Sequence, residues 1–324
     1  MHRIPTLGWI GIVLAGFATA PLWLSSGFAL NLLVMVLLMT LMAQSWNILG
    51  GFGGQFSFGH AAFFGTGAYA MAILQVSFGI NAWVALGLAI GAGALAGVGV
   101  GVLSFRYGLK GSYFSLATLA VAEVLRILAN AVGITGAGAG LQLPLQPGAM
   151  HLQFAGKAGY LYFILAFVAA GLLLSWWLRR SRFGAYLVAV RDSEDSAQAL
   201  GISVLGVKLA AIAMSAALMA AAGVFYTQYL QYLDPHIAYG PAFSVAALVG
   251  AVIGGTATVF GPLLGAAALQ LLSELTRNAL GDVPGVSLVI YGVLLVAMVM
   301  FLPDGLAGLA GRFRAVATER RAKA

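Results

Sequence analysis

Two acid–base pairs stand inside long apolar stretches of this 324-residue sequence. Glu123 lies three residues before Arg126, and Glu274 lies three residues before Arg277. On a helix this spacing places both members of a pair on the same face. Ionisable side chains among apolar residues are costly, and they commonly mark a solute contact or a proton relay. We favour the alternative that each pair neutralises itself and fixes its helix within a bundle.

A glycine-rich segment between residues 50 and 60 is the second candidate site. Its five glycines are too many for a regular helix. Irregular backbone at membrane depth survives only where protein or a cavity covers it. The segment therefore predicts a broken or re-entrant stretch that lines a pathway. The candidate positions are Gly54, Gln55, Ser57, Gly59 and His60.

Motifs for covalent catalysis are missing from the sequence. The chain has no cysteine, which excludes thiolate metal sites and cysteine nucleophiles. The four histidines are scattered, at positions 2, 60, 151 and 236, and suggest no metal site. Gly156-Lys157 does not belong to a phosphate-binding loop. We therefore expect no enzyme activity and no bound metal or cofactor, so uphill movement of a solute would need an ion gradient or another subunit.

The elements that must position these residues are membrane helices. The composition is 61% hydrophobic and only 8% charged, and no charged residue occurs from Ile4 to Phe105. A span needs roughly 20 apolar residues. The sequence predicts an all-α, polytopic membrane protein with about ten transmembrane helices and no sizeable soluble domain. The expected spans are 7–24, 28–49, 61–78, 82–105, 112–133, 159–178, 209–230, 243–259, 262–280 and 286–302.

The basic residues predict the orientation of these spans. If both termini lie inside and the spans alternate, thirteen Lys and Arg residues fall inside and only Lys157 falls outside. We expect an uncleaved first span, one transmembrane domain over residues 1–310 and a basic cytoplasmic tail over 311–324. The net charge of +7 follows from the cytoplasmic loops, so no nucleic-acid partner is expected. The tail is suited to anionic lipid headgroups.

The internal loop over residues 179–208 contains the signature of a short helix. Asp192 and Ser193 are suited to cap it, and acidic residues occupy its first turn. Gly201 is a natural terminator. A capped helix too polar for lipid predicts docking on a cytoplasmic partner, although an ordinary amphipathic loop would look similar. The expected roles are a polar partner contact for Glu194, the buried docking face for Ala197 and Leu200, and a left-handed turn for Gly201.

Five segments of the sequence carry a resemblance to a known family. The segments are NILGGFGGQFSFGHAAFFGTGAY (47–69), GSYFSLATLAVAEVLRILAN (111–130), RDSEDSAQALGIS (191–203), GGTATVFGPLLGA (254–266) and FLPDGLAGL (301–309). They resemble the permease subunits of branched-chain amino acid ABC importers of the LivM type, and they cover nearly the whole chain in the family's order. The first and third segments are the specific ones.

The resemblance implies a ten-span fold of the type II importer kind in a bacterial inner membrane. It implies a heterodimer with a second permease, two ATP-binding subunits that hold the ATP, and a periplasmic solute-binding protein. The segment from Glu194 to Gly201 resembles the EAA-type coupling motif that seats in a groove of the ATPase. Ser196, Ala139 and Ala257 depart from the family pattern. Branched-chain amino acids are the implied solutes, and related permeases carry urea, short-chain amides or aromatic acids.

Two other functions are compatible with parts of the sequence. A self-sufficient secondary transporter would use Glu123 as its proton or ion site, but it has no need of a capped docking helix. A structural membrane scaffold would leave the glycine-rich broken segment and the charges within the spans unexplained. The importer is therefore the interpretation that we carry to the structure.

Overall fold

The computed structural model describes residues 6–24 and 26–280, and beyond them only positions 285, 289–290, 292–293, 296 and 305–308. Arg3, most of the expected span over 286–302 and the basic tail over 311–324 lie outside the described residues. The expected cytoplasmic location of both termini therefore stays a prediction.

The described part of the chain is almost entirely helical. A single antiparallel pair of short strands, β1 (Leu141–Gln142) and β2 (Tyr232–Leu233), joins two loops by pairing Leu141 with Leu233. The helices are α1 (Thr6–Trp23), α2 (Gly27–Trp46), α3 (His60–Val76), α4 (Ala82–Phe105), α5 (Gly111–Ala131), α6 (Lys157–Leu178), α7 (Arg182–Asp192), α8 (Glu194–Ala199), α9 (Val204–Leu230), α10 (Pro235–Ala238), α11 (Pro241–Gly254) and α12 (Gly261–Leu280).

Within the described residues, seven helical segments are long and apolar enough to cross a membrane. Helices α3 and α12 lie where two further spans are expected. The all-α, polytopic class is confirmed, whereas the count of ten stays a prediction. The seven segments are Thr6–Trp23, Gly27–Phe52, Ala82–Phe105, Gly111–Ala131, Lys157–Leu178, Val204–Leu230 and Pro235–Gly254.

Small residues bring the central helices together. A Cβ atom at Gly93 or Gly97 of α4 would overlap the methyl groups of Ala220 and Ala216 on α9. Gly67 of α3 meets the backbone of Ala220 in the same way. Close approach through small residues is the usual packing device of membrane helices. It makes α9 the centre around which α3 and α4 pack.

The predicted break in the glycine-rich segment is confirmed. Helix α2 continues into a π-helix over Asn47–Phe52, and residues 53–59 are not helical. The Asn47 amide then ties this break to a second irregular segment before α12: Asn47 Nδ2 donates to the Thr258 carbonyl at 3.0 Å, and Ala257 N donates to Asn47 Oδ1 at 2.8 Å. Ala257 has φ of +55°, in the left-handed region that favours glycine.

The internal loop is more folded than the sequence predicts. Most of residues 179–208 belongs to α7, α8 and the first turns of α9. Ser193 caps α8, since its hydroxyl accepts from Ser196 N at 3.2 Å, whereas Asp192 is the last residue of α7. Lys208, expected in the loop, lies within α9.

Candidate transport pathway and coupling segment

Four polar side chains, Ser45, Ser57, His60 and Ser215, form a cluster inside the chain, here called the enclosed cluster. His60 Nδ1 lies 3.2 Å from Ser57 Oγ, and His60 Nε2 lies 3.0 Å from Ser215 Oγ. The Ser215 hydroxyl donates to the Ser45 carbonyl at 2.7 Å, so it accepts from Nε2. Each of these side chains is fully buried. The cluster joins the broken segment to α2 and α9.

The polar residues predicted to line a pathway are therefore mostly internal. Gln55 is buried, Ser57 and His60 belong to the enclosed cluster, and Gly59 lies against the Thr118 carbonyl of α5. Gly54 is partly exposed, with φ of +66° beside the Arg191 side chain. The break is where the sequence predicts it, but its polar side chains hold it in place within the chain.

The exposed side chains of the broken segment are Phe56 and Phe58, which sequence reasoning missed. The alternation of Gln55, Phe56, Ser57 and Phe58 was the available signal, because an extended segment points successive side chains to opposite sides. Helix α5 lies alongside. Ser115 Oγ donates to the Phe56 carbonyl at 2.6 Å, and Phe58 N donates to Thr118 Oγ at 3.2 Å.

Five of the exposed residues of helix α5 lie along one side of it, here called the α5 face. Its members follow one another at spacings of three or four residues, which places them on one side of the helix. The members of the α5 face are Tyr113, Leu116, Leu119, Glu123 and Ile127.

The pair predicted between Glu123 and Arg126 is present. The guanidinium binds both carboxylate oxygens, with Arg126 Nε donating to Oε2 at 2.9 Å. Arg126 Nη1 also lies 2.6 Å from His236 Nδ1 on α10. Arg126 thus ties α5 to α10 of the same chain, whereas the Glu123 side chain stays 48% exposed. Charged groups in a span are costly towards lipid, so this face requires a polar cover.

A cavity of about 240 Å³ opens beside Glu123. Most of its lining is apolar, and its polar side chains are Glu123 and Tyr239. The lining residues are Phe58, Leu119, Ala122, Glu123, Tyr239 and Pro241. The arrangement suits a small solute that carries an apolar group together with a positive charge.

The second predicted pair lies on α12. Arg277 Nη2 donates to both carboxylate oxygens of Glu274 at 3.0 Å. No hydrogen bond or ion pair joins it to the pair on α5 among the described residues. Across the same part of the chain, no three His, Asp or Glu residues come together as metal ligands would.

The coupling segment, residues 194–201, differs from the sequence expectation at Glu194. Its carboxylate binds the Lys208 ammonium on α9, and Lys110 Nζ lies 3.1 Å from Oε2. Lys208 is only 4% exposed. Burial by itself would raise the pKa of Glu194, but hydrogen bonds from Lys208 and Lys110 outweigh it and leave that pKa below its ordinary value. Glu194 is thus already paired within the chain.

The two residues expected to form the docking face also differ in their exposure. Ala197 is buried inside the chain, whereas Leu200 is 81% exposed. They do not share one docking face, because the chain bends away after α8. Gly201 makes this bend at φ of +82°, as the sequence predicts. Beside Leu200 lies a cavity of about 540 Å³, lined mainly by apolar side chains such as Phe183, Tyr186 and Val207.

Apolar helices with two broken segments, acid–base pairs on α5 and α12 and a folded loop define a multi-pass, all-α membrane protein. The class narrows further when the sequence is compared with known families. Residues 28–299 match the family described as "Branched-chain amino acid transport system / permease component", and the chain belongs to this family.

Individual relatives agree with the family. The chain is 28% identical to the high-affinity branched-chain amino acid transport system permease protein LivM of Salmonella typhimurium, and 27% identical to LivM of Escherichia coli. Each alignment covers 88% of this chain and 71% of the relative. The autoinducer 2 import system permease protein LsrC of Klebsiella pneumoniae is 28% identical over 54% of this chain and 50% of its own length. No solved structure matches the chain.

Proposed function

We propose that this chain is one permease subunit of a binding-protein-dependent ABC importer that carries branched-chain amino acids across the bacterial inner membrane. The observation that carries the proposal is the coupling segment. It is capped, it turns at Gly201, and it presents the exposed Leu200 beside an apolar cavity. An exposed leucine beside a mainly apolar cavity forms an apolar patch of the kind that marks protein–protein contact sites.

The proposed complex contains a second permease, two ATP-binding subunits and a solute-binding protein on the outer side. The ATP is bound and hydrolysed by the partner subunits. Closure of the ATP-binding subunits would move the coupling segment and switch the pathway from outward-facing to inward-facing. Ten spans with both termini inside fit this arrangement.

The α5 face is the proposed wall of the pathway, covered by the second permease. Glu123 and Arg126 supply one negative and one positive group, and the cavity beside Glu123 is lined mostly by apolar side chains. A branched-chain amino acid carries an ammonium, a carboxylate and an apolar side chain, so each part meets complementary chemistry on this wall.

The alternative of a secondary transporter requires Glu123 as its proton or ion site, and the pairing of Glu123 does not favour that role. A proton site needs a carboxylate that can exchange protons, whereas this carboxylate is held by both arms of Arg126. Urea, short-chain amides and aromatic acids remain the solutes to compare with leucine, isoleucine and valine.

Uptake of labelled L-leucine by the complex in proteoliposomes tests the proposal. We expect uptake that requires ATP and the binding protein and that survives collapse of the proton gradient. Leu200→Asp should remove most of the ATP-binding subunits that co-purify with the permease. Leu145→Asp is the matched control, since Leu145 is also largely exposed but lies in the loop between α5 and α6, on the expected outer side. ATP-independent uptake driven by a proton gradient would contradict the proposal.

A further inference from the structure

Glu194 joins the coupling segment to two membrane helices at once. Lys208 belongs to α9, and Lys110 is the residue immediately before α5. Lys208 Nζ also lies 5.1 Å from the centre of the Phe105 ring at the end of α4. Phe105 stacks on Phe114 of α5, with ring centres 4.9 Å apart. The carboxylate of one short helix is therefore bonded to α9 through Lys208 and to the start of α5 through Lys110, while the same Lys208 lies over the end of α4.

We infer that Glu194 is a positioning residue that transmits movement of the coupling segment to α5 through Lys110. The inference rests on the proposed function. It assigns Glu194 a role within the chain and leaves Leu200 as the contact for the ATP-binding subunits.

Burial makes the connection tight. The Lys208 ammonium is enclosed, and Glu194 is its ion-pair partner among the described residues, so α8 cannot leave α9 without stranding a charge. Lys110 is the more exposed partner and connects the same carboxylate to the first turn of α5. Helix α5 then spans thirteen residues from Lys110 to Glu123, which is about 20 Å along a rigid helix. A displacement of α8 would therefore be transmitted along α5 to the α5 face.

The decisive variant is Lys110→Gln. It removes the link to α5 and leaves the enclosed pair intact, whereas Glu194→Gln would also strand Lys208 and destabilise the chain. Arg106→Gln is the matched control, because Arg106 lies in the same turn and makes no ion pair among the described residues. Lys110→Arg should restore the link. The complex is reconstituted with its partner subunits, and L-leucine uptake is measured together with ATP hydrolysis.

We expect Lys110→Gln to keep its ATP-binding subunits and its hydrolysis rate while the uptake per ATP falls about two- to fivefold, the range for a mostly exposed ion pair. Lys110→Arg and Arg106→Gln should match the wild type. Unchanged uptake per ATP in Lys110→Gln would overturn the inference. Loss of the ATP-binding subunits would also overturn it, by placing Lys110 in docking.

A second readout separates this inference from the identity of the solute. The chain has no cysteine, so Ser112→Cys on the first turn of α5 provides a unique, exposed site for maleimide labelling. We expect ATP to change its labelling rate, and Lys110→Gln to abolish that change. If the wild-type complex fails to carry L-leucine while the labelling behaves as expected, the proposed substrate is wrong and the inference stands. A labelling response that persists in Lys110→Gln would overturn it.

Discussion

The enclosed cluster and the α5 face both place hydrogen-bonding side chains among apolar helices, yet they satisfy them in different ways. In the enclosed cluster, each ring nitrogen of His60 meets a serine hydroxyl of the same chain. On the α5 face, Glu123 is paired with the neighbouring Arg126, but its side chain stays half exposed to the surroundings. The polar groups of the enclosed cluster are hydrogen-bonded within one chain, whereas the charged groups on α5 need a polar surface from outside the chain.

This difference distinguishes polar side chains that stabilise the fold from polar side chains that are available to a partner or a solute. Buried polar groups that are fully hydrogen-bonded fix one arrangement of the backbone, as the enclosed cluster does for the broken segment. An exposed charge pair in a span is unfavourable until a polar surface or water covers it. We therefore expect substitutions in the enclosed cluster to change the stability of the single chain, and substitutions on the α5 face to change the assembled complex.

Gly59→Ala should have the largest effect on the single chain. Gly59 lies where the two regions meet, and a Cβ there would overlap the Thr118 carbonyl of α5. Gly59 has φ of −103°, so alanine adds bulk without backbone strain. Overpacking against backbone costs about 3 kcal/mol at the upper end of its usual range. The unfolding temperature of the detergent-solubilised chain should fall clearly.

Gly91→Ala is the control for this change. Gly91 lies within α4, and its Cβ would meet open space. The same substitution there should leave the unfolding temperature unchanged or slightly raised, because alanine is the better helix former. Equal effects at the two positions would show that α5 does not lie against the broken segment.

His60→Leu should have a smaller effect on the same measurement. The leucine fills the space, but the Ser57 hydroxyl loses its acceptor and Ser215 loses a donor. A buried polar group left without its partner costs about 1–2 kcal/mol. His151→Leu, in the exposed loop before α6, should change nothing. Once assembled, a His60→Leu complex should carry solute normally, and a selective loss of uptake would instead place His60 in the pathway.

The sequence predicts the helices and the position of the break well, because both depend on local composition. Apolar runs locate the spans, and the glycines locate the break near residue 53. The burial of His60 could not be predicted, since it depends on Ser215, which is 155 residues away. The local sequence pattern predicts where the backbone is irregular, but tertiary packing determines which side chains of that segment are buried.

The coupling segment shows the same limit. Its cap at Ser193 and its turn at Gly201 follow from residue type alone. The pairing of Glu194 with Lys208 does not follow from residue type. The sequence places Lys208 in a charged loop, whereas the structure begins α9 at Val204 and so includes Lys208 in this helix. The apolar run around Lys208 was the available signal. The exposure of Leu200, next to the buried Ala197, depends on how α8 packs.

Glu123→Gln should have the smallest effect on the single chain and a large effect on the complex. The Glu123 side chain is half exposed, so the unfolding temperature of the isolated subunit should stay close to that of the wild type. In the complex the same change leaves Arg126 without its carboxylate beneath a covering surface, where an unpaired charge is costly. Recovery of the second permease, or L-leucine uptake per complex, should therefore fall by about tenfold or more.

Glu274→Gln on α12 is the matched control, because it breaks a pair of the same spacing away from the α5 face. A Glu123→Gln subunit that is itself unstable would contradict the comparison, since its pair would then hold the single chain together. One that assembles and transports like the wild type would show that nothing covers the α5 face during transport.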